Sequence, residues 1–384
     1  MVTHGPCLPG ILLYVRKHCP VIAVLAVTLA ACTTHQAPEP NSATETSSIT
    51  APSPVSPAQT REHWDSVTLG TNVASIDMPG ADAERDIAGA ASARFEAVRL
   101  PVEWSEIEPS AGQLDWSALD SEVNAATSHG LAILGVLTWA PTWAVPPQYA
   151  LTAHPAPANP ADFAQFASAA AERYRDRITA WEIWNEPNVA ASFGPSADPL
   201  RYCAMLTDAS RAIRVAAPAA LVIAGPTSPA VDSANDLSPA TFVDALYQCD
   251  AATFDAPTFD AIAMHPYSTP DLLSEPSAAW ASANEIARVR AVMDRRGDSA
   301  KKIWFSEFGA PTSAGGPGVD EQRQAQILVD GITALRQLDY AGPIFVFDYR
   351  DSMTGSDIPD YNYGLVRSDY SPKPALAAVE NLPR

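Results

Sequence analysis

Two glutamates set in short aromatic frames are the residues of this chain best placed to do chemistry. Glu186 sits in Trp181-Glu182-Ile183-Trp184-Asn185-Glu186-Pro187-Asn188, and Glu307 in Ile303-Trp304-Phe305-Ser306-Glu307-Phe308-Gly309. Each closes an apolar run that reads as a buried strand. A carboxylate at the mouth of such a strand is costly to bury unless it has a partner or a task. Two of them, distant in sequence and meeting in space, can share one reaction. One gives and takes a proton while the other attacks carbon, which is the arrangement that cleaves a glycosidic bond.

The elements that must position this pair alternate along the chain. Short β-branched or aromatic runs at 67–74, 97–102, 132–138, 179–184, 221–224, 261–265, 302–306 and 344–347 read as strands. Helix-period stretches at 117–128, 160–174, 196–216, 239–248, 278–296 and 319–338 lie between them, and residues 373–384 read as a last short helix. Asn159-Pro160 gives one helix an N-cap followed by proline at its first position. Eight strand–helix units over one domain match a (β/α)8 TIM barrel in size and order. A doubly wound open sheet is the alternative, but Gly70-Thr71-Asn72 lacks the following glycines of a phosphate-binding turn.

A barrel of this kind carries its chemistry where the strands end. Arg99 lies on the second strand, and Glu103-Trp104 follows it. Trp139 and Trp143 follow the third, Asn185-Glu186 the fourth, His265-Pro266-Tyr267 the sixth, Glu307 the seventh and Asp348-Tyr349 the eighth. Aromatic faces with carboxylates, amides and an imidazole suit a sugar-binding cleft. No metal or organic cofactor is required by this set, and the histidines show no H-x-x-x-H spacing.

On these residues the chain resembles the retaining glycoside hydrolases of the large (β/α)8 clan that includes family 5 cellulases and mannanases and family 39 xylosidases. The resemblance is carried by Asn185-Glu186-Pro187 after the fourth strand, Glu307 after the seventh, Arg99, and His265-x-Tyr267, and it covers residues 67–350. It implies that Glu186 is the acid/base and Glu307 the nucleophile of a double displacement on an O-glycosidic, β-configured bond. It also implies substrate-side roles for Arg99, Trp139, Asn185, His265, Tyr267 and Tyr349. Several alternatives stay open. Arg99 either faces Glu307 or pairs with Glu182, and His265 either orients Glu186 or is a satisfied core histidine. Trp139 and Trp143 either stack on sugar or pack under a loop. One departure concerns the eighth strand: the clan often ends it in tryptophan, whereas this chain has Phe347-Asp348-Tyr349. A glycan-binding protein on a degenerate barrel and a transglycosylase are the competing functions.

The N-terminal region speaks to compartment. Arg16, Lys17 and His18 precede an apolar run at 21–31, which ends in Leu29-Ala30-Ala31-Cys32. That ending resembles a bacterial lipobox with Cys32 as the lipidated residue; a plain secretory signal and an uncleaved anchor are the alternatives. Residues 32–63, rich in Pro, Ser and Thr, read as a tether, and 64–384 as the catalytic domain. The expected location is therefore extracytoplasmic, either membrane-anchored through lipid or secreted. Cys203 and Cys249 remain in the domain as a disulfide or as two buried thiols. The net charge of −20 becomes more negative if residues 1–31 leave, since they hold two cations and no acid. Such a chain is no nucleic-acid binder; the expected partner is an oligo- or polysaccharide.

Overall fold

The computed structural model describes residues 56–73, 82–248, 258–313, 315–316 and 318–383. The expected signal segment, Cys32, most of the expected tether and Cys249 lie outside the described residues. Among the described residues no helix is long and apolar enough to cross a membrane.

The order of elements is α1 (Pro57–Ser66), β1 (Leu69–Asn72), α2 (Ala83–Ser92), β2 (Ala97–Glu103), α3 (Trp104–Ile107), α4 (Ser117–Ser128), β3 (Ala132–Thr138), α5 (Pro160–Arg173), β4 (Ala180–Ile183), α6 (Pro199–Ala216) and β5 (Leu221–Thr227). It continues with α7 (Pro239–Leu246), β6 (Ala261–Met264), α8 (Ser282–Arg295), β7 (Ile303–Phe308), α9 (Glu321–Arg336), β8 (Ala341–Val346) and α10 (Pro374–Glu380). The strands pair in parallel in sequence order, and β1 closes on β8, so this is a (β/α)8 barrel. Five of the helices, α1, α5, α6, α7 and α10, begin with proline in the first turn, where its missing N–H costs nothing.

The interior changes character along the barrel axis. Ala97, Leu134, Ala180, Ala261, Trp304 and Phe345 form an apolar layer at one end. Two residues further along stand Arg99, Glu182 and Ser306 beside Val136, Ala263 and Phe347, so the period-2 alternation brings the first charged and polar side chains to the inner face toward the strand ends. The outer strand faces pack on the helices in a second, larger apolar cluster.

Two strand limits depart from the sequence reading by three residues. β5 runs on through Gly225-Pro226 to Thr227, and β8 starts three residues early, at Ala341, ahead of Pro343. Glycine and proline usually stop a buried strand. Here each proline falls inside a register shift, between Ala224 and Thr227 on one strand and between the β8 partners of Ile303 and Phe305 on the other. There the ladder is already interrupted, and the missing N–H is tolerated. At Gly225 an added Cβ would lie 2.3 Å from the Ile183 carbonyl oxygen, so the close approach of β4 excludes a side chain.

The stretch read as tether contains structure at its end. Ser56 caps α1 in a capping box with Gln59, and Pro57 follows the cap. Trp64 is 1% exposed, lies 4.9 Å from Trp304 ring to ring, and donates from Nε1 to Thr179 Oγ1 at 3.0 Å. Arg61 bridges to Asp260 at 2.9 Å. α1 thus plugs the apolar end of the barrel. Trp64→Ala is expected to cost about 3–5 kcal/mol, the usual loss for emptying a buried tryptophan site. Denaturant melts of that variant check this, and a loss below about 1 kcal/mol would show that the plug is dispensable. Cys203 is disulfide-bonded.

Candidate active site

At the polar end of the barrel a cavity of about 440 Å³ opens between the strand ends. Glu186 and Glu307 both line it. One oxygen of each carboxylate and a ring nitrogen of His265 all lie within 4.8 Å of one another. So close an approach of single oxygens favours the spacing of roughly 5–5.5 Å between carboxyls where one attacks and the other shuttles a proton over the roughly 6.5–9.5 Å that seats a water between them.

Backbone irregularities aim both side chains. On β7, strict alternation would turn Glu307 outward with Phe305. The register against β8 shifts between Phe305 and Phe308, Phe308 joins the outer core, and Glu307 faces the cavity. After β4, Trp184 and Glu186 hold left-handed φ values of 68° and 49°. The first turns the Trp184 ring outward onto Phe163 and Phe193, although period-2 alternation from Glu182 would point it into the barrel. Non-glycine residues rarely adopt this conformation, and it costs on the order of 1–3 kcal/mol each. Packing holds it here: Trp184 is fully buried, and its Nε1 donates to the Ser192 carbonyl at 2.7 Å.

The two carboxylates have unlike surroundings. Glu307 Oε1 accepts from Arg99 Nη1 at 2.7 Å, and its Oε2 accepts from the Tyr267 hydroxyl at 2.6 Å. A guanidinium and a phenol therefore hold both oxygens of this carboxylate in place through short hydrogen bonds. Glu186 has no cation in contact. Its Oε1 lies 2.9 Å from His265 Nδ1, and burial pushes its carboxyl above the ordinary glutamate range. His265 is 1% exposed, and burial pushes it down to about 4, so at neutral pH the ring is uncharged. With its proton on Nδ1 it donates toward Glu186, and Nε2 accepts from Ser306 Oγ at 3.2 Å. The two carboxyls thus sit in unlike surroundings, one braced by a cation and a phenol and the other buried against an uncharged ring.

Arg99 is the hub. Its Nε and Nη2 donate to Glu182 Oε1 at 2.9 and 2.6 Å, Nη1 also reaches Asn72 Oδ1 at 2.9 Å, and Nη2 reaches Asn185 Oδ1 at 2.9 Å. The two alternatives for Arg99 hold together: it pairs with Glu182 and with Glu307. The bond to Asn185 fixes that amide's oxygen inward and leaves its NH2 for the cavity. Among the described residues, Glu186, His265 and Glu307 are also the group whose donor atoms converge closely enough for a metal ion. The positive charge of Arg99 against Glu307 opposes a cation there.

A family model described as Cellulase (glycosyl hydrolase family 5) matches residues 64–342. The chain belongs to glycosyl hydrolase family 5. It is a glycoside hydrolase of the (β/α)8 clan A. Solved structures share the fold at low identity. A family 39 glycoside hydrolase from the gut symbiont Bacteroides cellulosilyticus WH2 aligns with TM-score 0.66 at 21% identity, over 83% of this chain and 64% of that one. A GH5_18 protein from Streptomyces cattleya in complex with GlcNAc gives 0.61 at 19%, over 82% and 78%. A monomeric beta-xylosidase from Caulobacter crescentus CB15 gives 0.60 at 17%, over 85% and 68%. No curated protein matches the chain.

Of the residues singled out in the sequence, the family 5 domain brings Glu186, Glu307, Arg99, Trp139, Asn185 and Tyr267 to one cavity wall. His265 stands behind that wall, with Nδ1 2.9 Å from Glu186 Oε1 and 3.4 Å from Glu307 Oε2. Tyr349 does not line the cavity. It is buried with its ring against α2, where an added Cβ at Gly89 would lie 2.0 Å from its hydroxyl. Phe347 and Asp348 face the cavity in its place. Trp139 stacks on His154 with centroids 3.8 Å apart, while Trp143 packs edge-on to Trp104 and donates from Nε1 to the Glu108 carbonyl. Asn72, Asp360 and Tyr363 were missed. Asn72 ends β1 and was legible as a polar strand end; Asp360 and Tyr363 ride on the long loop after β8, which carries no strand signal.

The raised Glu186 carboxyl has a consequence for stability. A carboxyl whose folded value lies above its unfolded one weakens the fold once pH exceeds the ordinary value of about 4.3. Glu186→Gln keeps the bond from His265 and removes the charge. It is expected to raise Tm by a few degrees at pH 7.5 and to change nothing at pH 3.5, where glutamate is protonated in both states, while lowering kcat/KM about 10²–10⁴-fold. Melts at both pH values check it; an equal shift at each would mean that the charge is not the cause.

Proposed function

We propose that this domain hydrolyses β-linked glycans with retention of anomeric configuration, with Glu307 as nucleophile and Glu186 as acid/base. The observation that carries this reading is the approach of the two carboxylates at one cavity, one held by Arg99 and Tyr267 and the other free of any cation. Glu307 attacks the anomeric carbon while protonated Glu186 gives its proton to the leaving oxygen, and a glycosyl ester forms on Glu307. Glu186, now ionised, takes a proton from water. The resulting hydroxide equivalent attacks the same carbon, and Glu307 departs as carboxylate. The amide NH2 of Asn185 is placed to hold the sugar 2-hydroxyl, and Trp139 to stack on a ring face.

Glu103, Asp348 and Asp360 join the two glutamates in the cavity wall, and Arg99 is already engaged by two carboxylates. This charge balance favours neutral or cationic sugars over uronic acids. Following the first product of an aryl β-glycoside by NMR tests the reading: the β-anomer appears first, whereas initial release of the α-anomer overturns it. The protein used begins no later than Ser53, so that α1 and its cap are kept. From the sequence features at 16–32 we propose further that the enzyme acts outside the cytoplasm, tethered through lipid on Cys32. Cys32→Ala then moves it from the membrane fraction to the soluble one, and retention in the membrane argues against the lipid.

A further inference from the structure

A second, smaller cavity of about 130 Å³ adjoins the catalytic one between the end of β2 and the start of α4. The two share Pro101 and Glu103 in their walls. Glu103, Glu106, Asp115 and Glu122 line the small cavity, and no lysine or arginine does. Glu122 is 7% exposed, faces this space, and accepts no hydrogen bond among the described residues. A carboxyl this buried with neither a cation nor a protein donor is uncommon, and its oxygens are left to whatever the cavity holds. Burial, and then the charge of Glu103, push it up to about 7.

We infer that this small cavity is a subsite for a protonated amine carried by the substrate chain, so that the enzyme recognises an amino sugar next to the bond it cleaves. The inference rests on the hydrolytic reading of the adjoining site. An ammonium offers three donors and one positive charge to a wall of four carboxyls and the Ser117 hydroxyl that holds no cation. The volume holds such a group with a few waters, each taking about 30 Å³, and is too small for a second sugar ring. A metal ion fits less well. A calcium ligand set lies about 2.3–2.6 Å from the ion, so its oxygens crowd together. The four carboxylates of the small cavity do not form such a group among the described residues. The chain's net charge of −20 adds a field that draws in a polycationic glycan.

Calorimetry at pH 6.5 on the full-length protein tests this, using the Glu307→Gln background to prevent turnover. The probes are a β-1,4-linked glucosamine trimer, its fully N-acetylated counterpart and cellotriose. The glucosamine trimer is expected to bind about tenfold more tightly than cellotriose, the scale of one charged hydrogen bond. Glu122→Gln should bring the two within about twofold, and Glu122→Asp should keep most of the preference. Glu122→Gln removes an uncompensated charge, so its melt should be no lower than that of the parent, which checks folding. Equal affinity for the three trimers, no binding of the glucosamine trimer, or a preference unchanged in Glu122→Gln overturns the inference. So does calcium chloride raising the Tm of the parent but not of Glu122→Gln without any amine preference, which would mark a metal site. Turnover of a neutral aryl glycoside by the otherwise unaltered enzyme and by Glu122→Gln reports separately on hydrolysis: its loss in both, with the trimer preference intact, sinks the catalytic reading and not the subsite.

Discussion

Glu307→Gly should keep its fold and lose hydrolysis of an aryl β-glycoside by roughly 10⁵-fold or more, the scale of removing a nucleophile outright. Added azide should restore turnover and yield an α-glycosyl azide. The vacated space lies between Arg99 Nη1 and the Tyr267 hydroxyl, the two donors that hold the carboxylate in the intact site. A small linear anion placed there meets the same charge and donor and attacks the anomeric carbon from the side Glu307 used. Glu186 still protonates the leaving oxygen, so one displacement occurs and the configuration inverts. Glu186→Gly gives the complementary result. Its glycosyl ester forms only with a good leaving group, and azide then arrives from the opposite face to give the β-azide. The two product configurations therefore assign the two roles independently. A β-azide from the Glu307 variant would exchange them, and full activity in either variant would end the two-carboxylate scheme.

The barrel and its chemical end were largely legible in the sequence because both follow from periodicity. Apolar runs such as 132–138 and 302–306 can only be buried strands, and polar residues at their ends can only gather at one rim of a closed sheet. What escaped has local physical causes. The helix Pro57–Ser66 was hidden because its cap, Ser56-Pro57-Ala58-Gln59, has the same composition as the tether before it. Only Trp64, a large apolar residue among polar neighbours, hinted that the stretch is held. Side-chain direction failed wherever the strand is irregular. Period-2 parity sends Glu182 inward correctly, but Trp184 is turned by its left-handed backbone, and a register shift re-aims Glu307. Tyr349 was displaced for a similar reason, because past the end of β8 alternation no longer applies. The acidic pocket at Glu122 could not be read at all. Its residues come from β2, α3 and the start of α4, and nothing in a one-dimensional pattern shows that a helix glutamate lacks a partner.

Arg99→Met is expected to destabilise the domain by about 3–5 kcal/mol and to lower kcat/KM at least 100-fold, and adding Glu182→Gln should recover the first loss but not the second. Glu182 is fully buried in the middle of the barrel. Both bonds from Arg99 fall on its Oε1, while Oε2 has no hydrogen-bond partner. Removing the guanidinium therefore strands a complete negative charge in the interior, which is what makes breaking a buried pair costly. Replacing that charge with an amide of the same shape relieves it, much as apolar replacement of both partners can be neutral elsewhere. Glu307 and Asn185 gain nothing from the second change. Arg99 Nη1 no longer fixes the Glu307 carboxylate, and Nη2 no longer turns the Asn185 oxygen away from the sugar. Misplacing reacting groups by as little as 1 Å can cost about 10²-fold. Urea melts and steady-state kinetics on the single and double variants separate the two effects. If the double variant regains activity along with stability, Arg99 serves the fold alone. If it regains neither, the Glu182 charge is not what Arg99 neutralises, and the hub must be redrawn around Glu307 and Asn72.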